Sequence, residues 1–405
     1  MRLKLTGLIL LATAGCLVVL LLYVRAVERT PPLIFSAEQL LNATWQGYKK
    51  TYIETGSSRT MDLARHDITT SEGESYTLLR AVWLSDKPTF DAAWDFTKTN
   101  LRHKNDGLYA WLYGKRTDGT FGVLTDQGGS TAASDADSDI ALSLIFAYDR
   151  WQDPAYLSAA KQTLDSMWSR EVITINGTPY LASNDVEKFT SGTSALLNPS
   201  YLSPYSYRIF AEVDPAHPWG QLVDSSYAVI AQSMSLPLDT TSSAGLPPDW
   251  ILINKQTGVL GPTNRAGLPS QFGYDAMRVP WRLALDWAWF HDPRDKALLS
   301  RMTLLADAWR GAQTIDTVYA HDGTVVGAYE SPATYGGTIG YFLVTDPAAA
   351  KAVYEQKLAF LYNPDTNAWS STLSYYDDNW AWFGVALYND LLPNLAAHLS
   401  AATYQ

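Results

Sequence analysis

Three short strings of sequence carry closely spaced acidic residues beside apolar segments. They are TSEGESY at 70–76, ASDADSDIA at 133–141 and YDAMR at 274–278. Paired carboxyl groups serve as general acid and general base, and the hydrolysis of glycosidic bonds uses one on each side of the bond. The chain also has 15 Trp, 24 Tyr and 12 Phe, and aromatic rings cover the apolar face of a sugar well. Together these residue types point to carbohydrate chemistry, although aromatic residues also fill helical cores.

Other kinds of reactive site have little support. The six histidines include no pair at i, i+4, and the single cysteine, Cys16, excludes intramolecular disulfides and cysteine-based zinc sites. Neither a G-x-S-x-G elbow nor a phosphate-binding P-loop is present in the sequence. The 41 Asp and Glu against 30 Lys and Arg give a net charge of −11, which argues against a nucleic-acid surface. We therefore expect no metal, no cofactor and no nucleic-acid partner.

The elements that must position these strings are predicted to be helices. Apolar residues recur at i, i+3, i+4 and i+7 in twelve segments. These lie at about 36–50, 71–85, 88–102, 135–151, 154–169, 204–213, 217–234, 275–291, 293–313, 333–344, 347–362 and 374–391. Twelve helices in paired hairpins predict an all-α fold, an (α/α)6 barrel whose loops form a groove at one face. An open helical array is the alternative. Residues 107–125 and 170–193, rich in Gly, Thr and β-branched residues, are interpreted as short strands or long loops.

The N-terminal segment has the composition of a membrane signal. Leu5–Val24 is an uncharged run of 20 residues, long enough for a transmembrane helix, and a cleaved signal peptide is the alternative. We therefore predict an anchor or signal segment at 1–32 and a second domain at 33–405. The expected location is membrane-anchored and extracytoplasmic, or secreted if the segment is cleaved. In either case the predicted helix is the contact with the membrane.

In their order and spacing, the three acidic strings resemble those of glycoside hydrolase family 8. This is a family of bacterial endoglucanases with an (α/α)6 barrel, and it includes cellulases associated with cellulose synthesis. NPSY at 198–201 and PPDW at 247–250 add to the likeness, which runs from about Thr69 to Phe383. The resemblance implies an inverting endo-hydrolase of β-1,4-linked glucan with a β-linked polysaccharide as substrate. Association with exopolysaccharide synthesis machinery is a further hypothesis.

The resemblance also assigns roles to individual residues. Glu72 matches the general acid, Asp275 the general base, and Asp135 the carboxylate that holds and distorts the sugar at the cleavage point. Trp111 resembles a stacking platform for a sugar ring. The other residues predicted to bind substrate are Tyr201, Tyr274, Arg278, Tyr375 and Tyr376.

Local chemistry adds three expectations. Asp275 should stay ionised, because Arg278 lies one helical turn away and could pair with it. Asp137 and Asp139 are interpreted as capping or first-turn acids of a helix. The third concerns Thr77, which follows Tyr76 at a position where members of the family often have Gly.

Two alternative functions remain open. One is hydrolysis of a different β-glycan, such as chitosan, xylan, mixed-linkage glucan or a self-made exopolysaccharide. The other is a non-catalytic glycan-binding protein that has kept the groove. In a purely structural interpretation, Glu72 is a first-turn charge and Asp275 only an ion-pair partner of Arg278.

Overall fold

The computed structural model describes residues 35–397, and all the helices and sheets below belong to the compact unit that begins at Ala37. This part of the chain contains thirteen α-helices. They are α1 (Ala37–Tyr52), α2 (Ser71–Trp83), α3 (Lys87–Phe96), α4 (Ser134–Trp151), α5 (Pro154–Arg170), α6 (Pro204–Val213), α7 (Trp219–Ser233), α8 (Arg278–Phe290), α9 (Pro293–Leu299), α10 (Thr303–Ala312), α11 (Pro332–Thr345), α12 (Pro347–Val353) and α13 (Tyr375–Tyr388).

Asp-Pro pairs set the start of several helices. Asp153, Asp292 and Asp346 are the N-caps of α5, α9 and α12, and each carboxylate accepts a backbone N–H of the first turn. Proline follows at the first helical position, where its missing N–H costs nothing. These caps give the sharp reversals that pack one helix back against the previous one.

Six of the helices form an inner ring. Along the chain α2 packs on α4, α4 on α6, α6 on α8, α8 on α11, and α11 on α13. The ring closes where Arg80 of α2 donates from Nη1 to Oδ1 of Asp378 in α13 at 2.9 Å, with both side chains buried. Each ring helix also has an outer neighbour: α3 on α2, α5 on α4, α7 on α6, α9 on α8, α12 on α11, and α1 on α13.

The contact between α11 and α13 depends on glycine. A Cβ added to Gly336 would lie 1.9 Å from the carbonyl oxygen of Trp380, and one added to Gly384 would lie 2.5 Å from the Cα of Gly336. The two backbones therefore touch directly, which no residue with a side chain would allow.

Within residues 35–397, twelve short strands lie in the connections between helices and form five antiparallel sheets. One sheet has the order β1-β2-β3, from β1 (Thr69–Thr70), β2 (Leu112–Lys115) and β3 (Phe121–Val123); another has the order β6-β7-β8, from β6 (Ser194–Leu197), β7 (Ile251–Asn254) and β8 (Leu260–Pro262). Three two-stranded hairpins complete the set: β4 (Val172–Ile175) with β5 (Thr178–Leu181), β9 (Val318–Tyr319) with β10 (Val325–Gly327), and β11 (Tyr362–Asn363) with β12 (Ala368–Trp369).

The predicted fold class is wrong in one respect. The described domain is helical, as predicted, and its long helix connections pair with one another as short antiparallel strands. Residues 35–397 contain no helix with the length and apolarity needed to cross a bilayer, so the predicted transmembrane helix is not part of the described fold. The segment for which we predicted it, Leu5–Val24, lies outside the described residues. A smaller correction concerns 293–313, which forms two helices, α9 and α10, rather than one.

Candidate active site

Glu72 lies at the start of α2, directly after strand β1. The Oγ1 atom of Thr70 caps the helix by accepting the Gly73 N–H at 3.0 Å. Every other residue of α2 is buried, whereas the Glu72 side chain keeps 24% of its surface exposed. Glu72 is therefore the one position of this helix whose carboxyl group can meet a ligand from solution.

Asp135 and Asp275 reach the same place from two other elements. Asp135 lies in the first turn of α4, and its side chain is 4% exposed. Asp275 lies in the turn that leads into α8, and its side chain is 28% exposed. The beginnings of α2 and α4 and the turn before α8 thus each supply one carboxyl group.

Arg278, the first residue of α8, joins the three carboxyl groups. Its Nη1 atom donates to Oε2 of Glu72 at 2.8 Å and to Oδ2 of Asp135 at 3.1 Å. Its Nη2 atom donates to Oδ1 of Asp275 at 2.5 Å and to Oγ of Ser200 at 2.8 Å. The Arg278 side chain is fully buried, so its planar guanidinium fixes the carboxyl groups in one arrangement.

Three carboxylates around one guanidinium leave the cluster short of positive charge. Burial raises the pKa of Asp135 to about 6, although Arg278 acts in the opposite direction. Burial also raises the pKa of Asp275 above its usual value and outweighs the lowering by Arg278. The ion pair that we predicted between Asp275 and Arg278 is present, but it does not lower the pKa of Asp275 below its ordinary value.

Two neighbouring tyrosines of α13 line the cluster. The Tyr375 hydroxyl donates to Oε1 of Glu72 at 2.8 Å. The Tyr376 hydroxyl donates to the carbonyl oxygen of Tyr274 at 2.6 Å, next to Asp275 in the chain. Tyr274 itself is 40% exposed. One tyrosine therefore contacts the carboxyl group of Glu72, and the other contacts the turn that carries Asp275.

Trp111 and Tyr201 complete the set of predicted site residues. The Trp111 carbonyl oxygen accepts the N–H of Ser71 at 3.1 Å, which places this half-buried indole beside the start of α2. The ring of Tyr201 lies 5.2 Å from the guanidinium carbon of Arg278. These residues are far apart in the sequence, and the fold brings them all to the three carboxyl groups or to the adjacent backbone. Their roles toward a sugar stay predictions.

Asp249 supports the turn that carries Asp275, a contact that sequence reasoning missed. Its buried Oδ1 accepts three backbone N–H groups: Ala276 at 2.7 Å, and Gly273 and Asp275 at 3.1 Å each. A Cβ on Gly273 would lie 2.6 Å from Asp249 Oδ2, so this turn requires glycine. In the sequence, PPDW at 247–250 is noticeable only through the family resemblance. The one local feature that could have drawn attention to Asp249 is an Asp in a segment without helical periodicity.

Asp137 lies in the first turn of α4, as predicted, whereas Asp139 lies beyond it, so the interpretation of Asp139 as a capping or first-turn acid is wrong. The N-cap position of α4 is Ala133. Asp139 forms a two-pronged buried pair with Arg282 at 3.1 and 2.9 Å. Asp137 is buried and accepts the N–H of Tyr109 at 3.1 Å. Both carboxyl groups are thus committed to long-range contacts.

The hydroxyl of Thr77 is also accommodated in the interior. Its Oγ1 lies 2.7 Å from Oγ1 of Thr60 and 3.2 Å from the hydroxyl of Tyr48. The departure from glycine at this position therefore adds hydrogen bonds inside the core.

Among residues 35–397, one group has the geometry to hold a metal ion: His103, Asp106 and Asp185. Arg170 lies 3.1 Å from the Asp106 carboxylate and 3.8 Å from that of Asp185. Because this guanidinium already supplies positive charge to both carboxylates, we assign no metal to the group.

Known proteins resemble this chain over most of its length. The family model for glycosyl hydrolases family 8 matches residues 21–384. An endoglucanase of Ruminiclostridium josui is 31% identical over 64% of this chain, which spans only 53% of that relative's length. An endoglucanase of Salmonella typhi is 26% identical over 86% of this chain and 90% of the relative. The crystal structure of an endo-1,4-D-glucanase from Vibrio fischeri superimposes with a TM-score of 0.71 at 25% identity, covering 85% of this chain and 94% of that one.

The predicted membership of a glycoside hydrolase family is confirmed by the extent of the family match: the chain belongs to glycosyl hydrolases family 8.

Proposed function

We propose that the protein is an endo-acting hydrolase of β-1,4-linked glucan that inverts configuration at the cleaved carbon. The observation that carries this proposal is the convergence of Glu72, Asp135 and Asp275 on the Arg278 guanidinium. The names of the relatives, endoglucanase and endo-1,4-D-glucanase, support β-1,4-glucan as the substrate.

In the proposed reaction, Glu72 donates its proton to the glycosidic oxygen as the bond from that oxygen to the anomeric carbon breaks. A water molecule attacks the anomeric carbon from the opposite face, and Asp275 takes the proton that this water loses. The products are two shorter chains, and the proton taken by Asp275 replaces the one given by Glu72 after exchange with solvent. Asp135 holds the sugar at the point of cleavage, and Trp111 stacks on a neighbouring ring.

The test measures new reducing ends and loss of viscosity when the purified protein acts on carboxymethylcellulose. An endo-acting enzyme lowers the viscosity early, and proton NMR of the first product should show the α-anomer if configuration is inverted. Xylan, chitosan and mixed-linkage glucan are assayed in parallel, because a clear preference for one of them would replace the proposed substrate.

Two variants address the roles of the carboxyl groups. Glu72→Gln and Asp275→Asn should each lower kcat by at least about 10²–10⁴-fold, the usual contribution of general acid–base catalysis. Asp95→Asn, at an exposed acid on α3, serves as the matched control and should leave kcat unchanged. A folded wild-type protein that releases no product from any β-1,4-linked glycan would overturn the proposal.

An extracytoplasmic location and association with exopolysaccharide synthesis machinery stay predictions from the sequence.

A further inference from the structure

Two buried carboxyl groups behind the site have oxygen atoms that meet no donor among residues 35–397. Asp137 and Glu171 are both fully buried, and they lie within hydrogen-bonding reach of one another. Oδ2 of Asp137 and both carboxyl oxygens of Glu171 meet no donor group among the described residues. Two ionised carboxylates can only accept hydrogen bonds, and as buried neighbours they would repel each other.

The surroundings of the pair do not supply the missing positive charge. The charged and titratable groups that face it are Asp135, Asp185 and Tyr109. Arg170, the residue before Glu171 in the chain, contacts Asp185 at 3.8 Å and Asp106 at 3.1 Å. A proton held between the two carboxyl groups is therefore what satisfies them, one group donating and the other accepting.

The pair is connected to the site by one short piece of backbone, residues 109–111, which we call the strap. Oδ1 of Asp137 accepts the N–H of Tyr109 at 3.1 Å, at the beginning of the strap. At its end, the N–H of Trp111 donates to the Thr131 carbonyl at 2.8 Å, and the Trp111 carbonyl accepts the N–H of Ser71 at 3.1 Å. The strap thus joins the acid pair to the indole of Trp111 and to the residue that precedes Glu72.

We propose that Asp137 and Glu171 share one proton and act as positioning residues that hold the strap, and with it the Trp111 ring, in the geometry that binds a sugar. Neither residue touches substrate. The role in sugar binding rests on the proposed function, whereas the shared proton does not. Burial raises the pKa of both carboxyl groups well above their ordinary values, and the charge of Asp137 adds to the rise in the pKa of Glu171, so the proton is kept at neutral pH.

The shared proton is tested by infrared difference spectroscopy on the full-length protein. Wild type minus Glu171→Gln should show the carbonyl stretch of a protonated carboxylic acid, shifted in D2O. Glu171→Gln keeps the pair connected, because its amide N–H replaces the shared proton and Asp137 can still accept from Tyr109. A difference spectrum without this band at neutral pH would overturn the shared proton, whether or not the protein turns over any glycan.

The positioning role is tested by the affinity for cellopentaose, measured by calorimetry. Asp137→Ala should weaken binding about 10-fold, as expected for loss of a buried hydrogen bond to the strap, and Asp137→Asn should restore affinity to within about 3-fold. In the presence of Trp111→Ala, adding Asp137→Ala should have no further effect, because both changes act through the same ring. Unchanged affinity in a folded Asp137→Ala protein, or full additivity with Trp111→Ala, would overturn the role.

The pH dependence separates positioning from a general loss of stability. In the wild type, affinity should fall at alkaline pH as the pair loses its proton, and in Glu171→Gln this fall should be absent. An alkaline fall of the same size in Glu171→Gln would contradict the proposal. If Asp137→Ala fails to fold, the infrared difference spectrum and the pH dependence of affinity in Glu171→Gln still test the proposal. Failure of the proposed function would appear differently, as a wild-type protein that neither binds nor cleaves any β-glycan.

Discussion

Nη1 of Arg278 lies 2.8 Å from Oε2 of Glu72, although the two residues are 206 positions apart in the chain. The other terminal nitrogen of the same guanidinium holds Asp275. The relative position of the proposed acid and base is therefore set by one rigid planar group.

Replacing Arg278 by lysine should separate these carboxyl groups. A lysine ammonium is a point charge on a flexible chain and cannot hold three carboxyl groups in a fixed plane. We expect Arg278→Lys to lower kcat/KM about 100-fold, the scale associated with a misplacement of about 1 Å. Arg282→Lys is the control, because Arg282 is also buried but pairs with Asp139. Equal losses of kcat/KM in both folded variants would contradict this explanation.

Loss of the Tyr375 hydroxyl should affect Glu72 directly. Tyr375→Phe removes the donor to Oε1 of Glu72, so the carboxyl group loses one of the two contacts that orient it. We expect kcat to fall about 10-fold, as for the loss of one hydrogen bond. In the matched variant, Tyr362→Phe, the lost hydroxyl donates to Asn367 in the β11–β12 hairpin, and kcat should not change. A Tyr375→Phe protein with wild-type kcat would exclude an orienting role.

Asp249 should be required for the turn that carries Asp275. Asp249→Ala leaves three backbone N–H groups without their acceptor, and buried unsatisfied donors are costly. We expect a lower melting temperature together with a kcat/KM reduced about 100-fold. Asp249→Asn keeps a carbonyl oxygen in place and should recover most of both losses. If alanine and asparagine are equally damaging, the negative charge rather than the accepting oxygen is what matters.

Asp135 should make the stability of the protein depend on pH. Burial raises its pKa from 3.8 to about 6, so the folded state binds this proton more tightly than the unfolded state. Its contribution to stability is complete below pH 3.8 and is lost as the pH rises through about 6. Asp135→Asn removes this loss, so its unfolding free energy relative to wild type should increase between about pH 4 and pH 7 by on the order of 2 kcal/mol. Urea denaturation at several pH values measures this change, and a difference independent of pH would refute it.

Trp111 should contribute to binding and hardly at all to chemistry. Trp111→Ala removes the predicted platform, and an aromatic contact of about 0.5–1.5 kcal/mol corresponds to a KM raised about 2- to 10-fold. Phe360→Ala is the control, because Phe360 is 75% exposed on the short turn after α12. An unchanged KM for Trp111→Ala would exclude contact between this residue and the substrate.

The carboxyl cluster could be predicted from the sequence because the three acidic strings, in their order and spacing, resemble those of a known family. Helix position alone indicates no more than a first-turn charge for Glu72. Arg278 could be placed near Asp275 by helical spacing alone. The contacts of Asp249 and Asp137 were not predictable in this way. Their partners are backbone N–H groups 24 to 28 positions away, and a backbone N–H carries no signature of residue type. Short strands were expected only within residues 107–125 and 170–193. The other strands were not predicted, because strands of two to four residues are too short to show a period of two.

Closure of the ring also has a consequence for how the protein is made. The hydrogen-bond partner of Glu72, Tyr375, lies 303 positions later in the chain, and that of Arg80, Asp378, lies 298 positions later. On the ribosome, α1 and α2 emerge early, but their partner α13 emerges only after most of the chain has been synthesised. A nascent chain that ends before α13 lacks Asp378, the partner of Arg80, and Tyr375, the partner of Glu72. Hydrolytic activity should therefore appear only after synthesis has passed Tyr388. Until the last ring helix has formed, the nascent chain should not hydrolyse polysaccharide.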